Sequence, residues 1–121
     1  MNPSIPGLTI TELPESLARP ETERRLPSTG RIFKAPGADI ISFTFSPGQV
    51  LGDHHAPYPI TVHCLIGEVD FAIGEDTIRM KEGTLLHLEE GITHHVQATA
   101  DATEPATILV SLLTGGREAQ Q

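Results

Sequence analysis

Between Gly52 and Glu68 the chain reads GDHHAPYPITVHCLIGE, which sets His54, His55, His63 and the chain's single cysteine, Cys64, close together. His87, His94 and His95 complete a set of six histidines, all confined to residues 54–95. Imidazole ligates Zn, Fe, Ni, Cu and Mn alike, so a metal centre is the chemistry this crowding suggests. The structural alternative is an ordinary turn followed by a strand with imidazoles on its solvent face. Adjacent His54 and His55 point to opposite faces of a regular strand, because successive side chains alternate. Only a turn or bulge aims both inward, and DHHAPYP is irregular enough to hold one. A register shift of one residue pairs Asp53 with His55 on one face instead, and the local sequence does not choose. The same alternation turns His95 away from His94. Cys64 reads as a small buried hydrophobe, with a thiolate near a metal as the alternative.

The elements that must position these residues are strands. Ile41, Phe43 and Phe45 alternate with Ser42 and Thr44 in IISFTF, the period of a strand buried on one face. APGAD and SPGQ on either side read as turns. Further segments follow at spacings of about ten residues, the cadence of a sandwich or barrel: ITVHCLI, VDFAI, TIRM, TLLHLEE, THHVQA and ATILVSLL. With RIFK this predicts about eight strands and, from residue 31 on, no amphipathic helix. If Ile60 points inward, Val62 and Cys64 follow it and His63 points out, unless a bend near Pro59 reverses the phase. Residues 1–30 hold Pro3, Pro6, Pro14, Pro20 and Pro27 and the charged run ETERRL, and read as an extended arm with a helical turn near Pro14–Arg19. Residues 31–114 form the barrel, and residues 115–121 a polar, flexible tail.

Composition narrows the function. The 121 residues make one domain's worth of chain, enough to bury roughly two-thirds of the unfolded surface. Eight Lys plus Arg against 16 Asp plus Glu leave a net charge of −8, which repels phosphate backbones and anionic lipid headgroups. Nucleic-acid and membrane partners are not expected. No apolar run approaches a membrane span, and the N-terminus lacks the basic and apolar regions of a signal peptide, so a cytoplasmic protein is expected. A lone cysteine fits a reducing compartment. There is no nucleophile elbow, phosphate cradle or zinc-finger spacing.

Read together, the turns and histidines resemble a small single-domain cupin of the RmlC-like jelly-roll type. The second motif of that family, G-x5-P-x-G-x2-H-x3-N, is matched by Gly83, Gly91 and His94, with Glu89 in the proline position and Ala98 in place of asparagine. The first, G-x5-H-x-H-x3,4-E-x6-G, is matched by Gly48, His54 and Gly67, but Ala56 stands at the second histidine and Ile60 at the glutamate. The resemblance covers residues 31–114 and implies an all-β double-stranded β-helix barrel carrying a proline-rich N-terminal arm. Typical metal-bearing cupins supply three His and one carboxylate to a divalent ion that keeps open positions for substrate.

What the resemblance implies for chemistry is a divalent transition metal held by His94 together with His54 or His55. Without a glutamate at position 60, Zn, Ni or Cu is favoured over Mn or Fe. Tyr58, between two prolines at the mouth, Ile60, His63 and His87 are the candidate pocket residues, His87 being equally readable as a satisfied core imidazole. Glu89 and Glu90 read as solvated. One functional reading is a metal-dependent enzyme of dioxygenase, isomerase or lyase type acting on a small organic molecule inside the barrel. The other is a non-catalytic small-molecule binding or sensor module with an eroded metal site, since Ile60 replaces a charge with apolar surface. Small cupins pair their barrels, often through the N-terminal arm, so a homodimer is expected.

Overall fold

A computed structural model of the chain describes residues 4–115 and contains nine β-strands. They are β1 (Ser28–Ala35), β2 (Ala38–Phe45), β3 (Val50–His54), β4 (Ile60–Ile66), β5 (Val69–Ile73), β6 (Asp76–Met80), β7 (Leu85–Leu88), β8 (His94–Ala98) and β9 (Ala106–Leu112). All pairings are antiparallel and make two sheets, ordered β1-β2-β9-β4-β7 and β3-β8-β5-β6. Apart from the hairpins β1–β2 and β5–β6, each strand is followed by one in the opposite sheet, so the chain winds around a shared interior. The strand not foreseen is β3. VLGDH has no clean alternation and contains a glycine, so only its ladder with β8 makes it a strand.

The winding closes because alternation is kept on the strands that face each other. On β4, Ile60, Val62 and Cys64 are buried while Thr61 and His63 are half-buried on the other face. Val69 and Phe71 of β5, Val96 and Ala98 of β8, and Ala106 and Ile108 of β9 meet them in one apolar core. Burying a side chain such as Phe71 or Ile108 contributes about 1.5–3 kcal/mol. Gly67 carries the chain from β4 to β5, and so from one sheet to the other, at φ +70°; a Cβ there would lie 3.0 Å from Ala106 Cβ and 3.1 Å from its Cα. Only glycine takes that φ without strain and that approach without a clash.

β2 departs from its one-sided pattern. Ile41 and Phe43 face the interior, but Ser42 and Thr44 are buried too, because residues of the N-terminal segment lie over them. The Ala18 N–H donates to Ser42 Oγ at 2.8 Å, and Thr44 Oγ1 donates to the Ala18 carbonyl at 2.7 Å. Gln49 is buried as well; its Nε2 donates to the carbonyls of Glu21 and Arg24 at 2.7 and 2.9 Å. The Ser42 and Thr44 hydroxyls, on the face opposite the apolar one, and the Gln49 amide of the following turn are thus partners for a segment with no strand of its own. The helical turn expected near Pro14–Arg19 is present as hydrogen-bonded turns, Ser16 N–H to the Glu12 carbonyl and Leu17 N–H to the Pro14 carbonyl. β1 begins at Ser28, inside the stretch expected as arm, and residues 116–121 of the expected tail lie outside the described residues. No helix among the described residues is long and apolar enough to cross a membrane.

Candidate functional site

β3 and β8 are neighbours, and their ladder pairs Leu51 with Val96 and His54 with His94. Leu51 and His54 are an odd number of positions apart on β3, whereas Val96 and His94 are an even number apart on β8, so β3 carries one extra residue as a bulge. The bulge inverts the parity of β3. Leu51 and His54, which a regular strand would send to opposite faces, both turn inward, and His55 is left exposed. Asp53 is turned outward, where its Oδ1 accepts from His95 Nδ1 at 3.2 Å. Tertiary pairing thereby settles the parity between positions 53, 54 and 55.

His94 is 3 % exposed. Its ring centroid lies 4.2 Å from that of His54 at an interplanar angle of 60°, and 5.1 Å from that of Phe71 at 14°, a stacked contact. Both imidazoles are held by their own chain in the same way. His54 Nδ1 is 2.7 Å from the Gly52 carbonyl and His94 Nδ1 is 2.9 Å from the Ile92 carbonyl. A carbonyl oxygen can only accept, so each Nδ1 carries a proton and donates it. In the neutral ring Nε2 then holds a lone pair, and among the described residues neither Nε2 has a hydrogen-bond partner. Burial pushes the pKa of His94 below its ordinary value of 6.5; the bond to the Ile92 carbonyl opposes this, and the nearby His54, His55 and His95 reinforce it.

The two rings line a cavity of about 140 Å³ whose other eleven lining side chains are apolar. Ile41 and Phe43 of β2, Ile60 and Val62 of β4, and Ile108 and Val110 of β9 make most of the wall opposite the imidazoles. Of this wall, Ile41 with Phe43, and Ile60 with Val62 once Ile60 points inward, are legible as in-phase positions, while the phase of β9 comes from its register with β2 and β4. Phe71, which backs the His94 ring, was not singled out, since nothing local to VDFAI shows that β5 lies beside β8.

Of the candidate residues, His54, His94 and Ile60 come together in this cavity, and Ala56 joins them from the loop after β3. His55 is exposed and outside the lining. Tyr58, His63 and His87 also lie outside it, contrary to their placement as pocket residues. His63 is out of phase with Ile60 and Val62, and His87 pairs in register with Thr61, whose outward face it shares. Tyr58 is half-buried in the loop between β3 and β4.

The cupin-domain family model matches residues 41–112, more than half of the chain. The chain belongs to the cupin family. Its fold is that of solved double-stranded β-helix proteins. A conserved protein with a double-stranded β-helix domain from Klebsiella pneumoniae superposes with a TM-score of 0.74 at 18 % identity, over 88 % of this chain and 90 % of that one. An RmlC-like cupin from Desulfovibrio desulfuricans gives 0.72 at 24 % identity, over 88 % and 96 %. An RmlC-like cupin from Methanocaldococcus jannaschii gives 0.67 at 10 % identity, over 91 % and 100 %. No curated protein matches the sequence.

Cupins often bind metals. In this cupin the donor set is short of the three-His, one-carboxylate pattern, because Ala56 and Ile60 present apolar surface to the cavity at the two remaining motif positions. Among the described residues no group of three or more His, Cys, Asp or Glu side chains is placed to hold a metal ion. Cys64 does not substitute. Its thiol is pushed up to about 11 by burial and by the nearby Glu82 and Glu68, and it donates to the Gly67 carbonyl at 3.3 Å. The residues present do not fit a complete protein-held metal centre.

Proposed function

We propose that this cupin is a binding module that takes a small, predominantly apolar organic molecule into the barrel, oriented by the imidazole pair His54 and His94. The observation that carries this reading is the composition of the cavity: an apolar wall broken by two polar side chains on one side. Ligand sites are typically of this kind, with shape and burial supplying affinity and a few polar atoms supplying orientation. A cavity of about 140 Å³ matches in size the engineered apolar cavities that admit benzene or xenon. The test is titration of chelator-treated protein with xenon or benzene, followed by chemical shifts of the lining methyl groups. Saturable shifts centred on Val62, Ile108 and Val110, abolished by the filling substitution Val62→Phe, are expected. Absence of any saturable shift would remove this reading.

A second reading rests on the ring orientation. With both Nδ1 protons committed to backbone carbonyls, the Nε2 lone pairs are in the state in which imidazole ligates Zn, Ni or Cu. Two protein ligands would leave the rest of the coordination sphere to a bound molecule. Elemental analysis of untagged protein decides between the two. Stoichiometric metal lost in both His54→Ala and His94→Ala supports the second reading; metal-free protein that takes up none of these ions supports the first.

For partners, we propose a homodimer. Ile5, Leu8, Ile10 and Leu13 are 40–52 % exposed along the N-terminal segment, an apolar row that its own barrel does not cover. Light scattering should give twice the 13.0 kDa chain mass.

A further inference from the structure

The cavity's polarity is one-sided in a second sense, and this names the class of molecule it takes, granted that the cavity is a binding site as proposed above. The two polar side chains in its lining are imidazoles whose Nδ1–H groups are already given to the Gly52 and Ile92 carbonyls. What each neutral ring leaves is Nε2, an acceptor without a proton. The remaining lining side chains are apolar and offer neither donor nor acceptor. The lining side chains therefore present acceptors and no donor. A ligand carbonyl, ether oxygen or carboxylate entering it would lose its hydrogen bonds to water and find no side-chain donor in return. A ligand hydroxyl would find its complement.

Size restricts the skeleton. About 140 Å³ accommodates a six-membered ring with a small substituent. The ring centroids of His54 and His94 lie 4.2 Å apart at an interplanar angle of 60°, which leaves no space for a ligand between the two rings. We propose that the ligand is a benzene-sized ring or branched hydrocarbon bearing a hydroxyl group, of which phenol is the simplest representative, with its O–H donating to Nε2 of His54 or His94. Anionic and purely acceptor-bearing molecules of the same size are discriminated against by the same geometry.

Phenol and fluorobenzene have the same number of heavy atoms and nearly the same shape, but only phenol donates a hydrogen bond. Both are titrated into the full-length, chelator-treated protein at pH 8, and affinities are read by calorimetry or by NMR shifts of the wall methyl groups. Phenol is expected to bind about tenfold more tightly, the scale of one net hydrogen bond. That advantage is expected to shrink to about twofold or less in His54→Phe/His94→Phe. Because the double variant alters two packed rings, the wild-type protein supplies an independent reading. The 15N resonance of Nε2 in His54 or His94 should move on phenol saturation and stay in place with fluorobenzene. If the two probes bind equally, or if neither Nε2 resonance responds to phenol, the donor assignment is overturned while small-molecule binding stands. If neither probe binds, the binding reading itself falls, and this inference with it.

Discussion

The five-stranded and four-stranded sheets face one another across the same cavity, yet they furnish it in different ways. β2, β4 and β9 contribute an apolar wall spread over many residues, among them Phe43, Val62 and Ile108. The four-stranded sheet contributes the imidazoles, both from one cross-strand pair on β3 and β8. The wall is redundant: losing one methyl group leaves its neighbours in place. The polar pair depends on a single bulge and on two backbone carbonyls. Shape and stability are therefore distributed, whereas chemical character is concentrated in a few atoms.

The most severe effect is expected at the link between the sheets. Gly67→Val forces a β-branched residue to φ +70° and against Ala106, and is expected to cost about 4 kcal/mol or more or to prevent folding, read by urea denaturation or soluble yield. Next comes a test of distributed stability. Ile108→Ala, at a position 1 % exposed, should cost about 2–4 kcal/mol. His94→Phe should cost less, about 1–2 kcal/mol, since the apolar ring keeps its packing beside Phe71 and what is lost is the donor to the Ile92 carbonyl. Equal losses in the two variants would erase the division of labour between the sheets.

The pair should also give the fold a pH dependence that the wall lacks. The pKa of His94 is lowered by burial, so below 6.5 the unfolded chain binds a proton that the native ring resists. The contribution of His94 to stability is flat above 6.5 and falls as the pH drops from there toward the native pKa. Denaturation midpoints from pH 8 to pH 5 should show this slope in the wild type and a shallower one in His94→Phe. The smallest effect belongs to the outer face of the same strands. Asp53 is 76 % exposed where it meets His95, so Asp53→Asn should alter stability by less than about 0.5 kcal/mol and leave ligand binding unchanged.

The division between the sheets also marks what was legible from residues alone. Part of the wall is legible from a local rule: on a strand, positions two apart share a face, so IISFTF aligns Ile41 with Phe43 and ITVHCLI aligns Ile60 with Val62. ATILVSLL, with Leu109 off phase, instead takes its inward face from its register with β2 and β4. His94 followed from its place after the Gly91 turn. Tyr58, at the mouth between two prolines, and His63 and His87 on their strands are candidate pocket residues from sequence. His63 lies outside because it is out of phase with Ile60 and Val62, His87 because it pairs with Thr61 on that outer face, and Tyr58 because it stays in the loop between β3 and β4.

By itself, then, the sequence determined an all-β chain, its turns and the apolar faces of its regular strands, because those properties depend on periodicities a few residues long. Tertiary structure decided which residue of the Asp53-His54-His55 run enters the cavity, since a bulge exists only relative to the partner strand β8. It also decided that Ser42, Thr44 and Gln49 are buried, since their partners are backbone groups of residues 18–24, remote in the chain. In both cases the deciding contact is between segments that no local pattern joins.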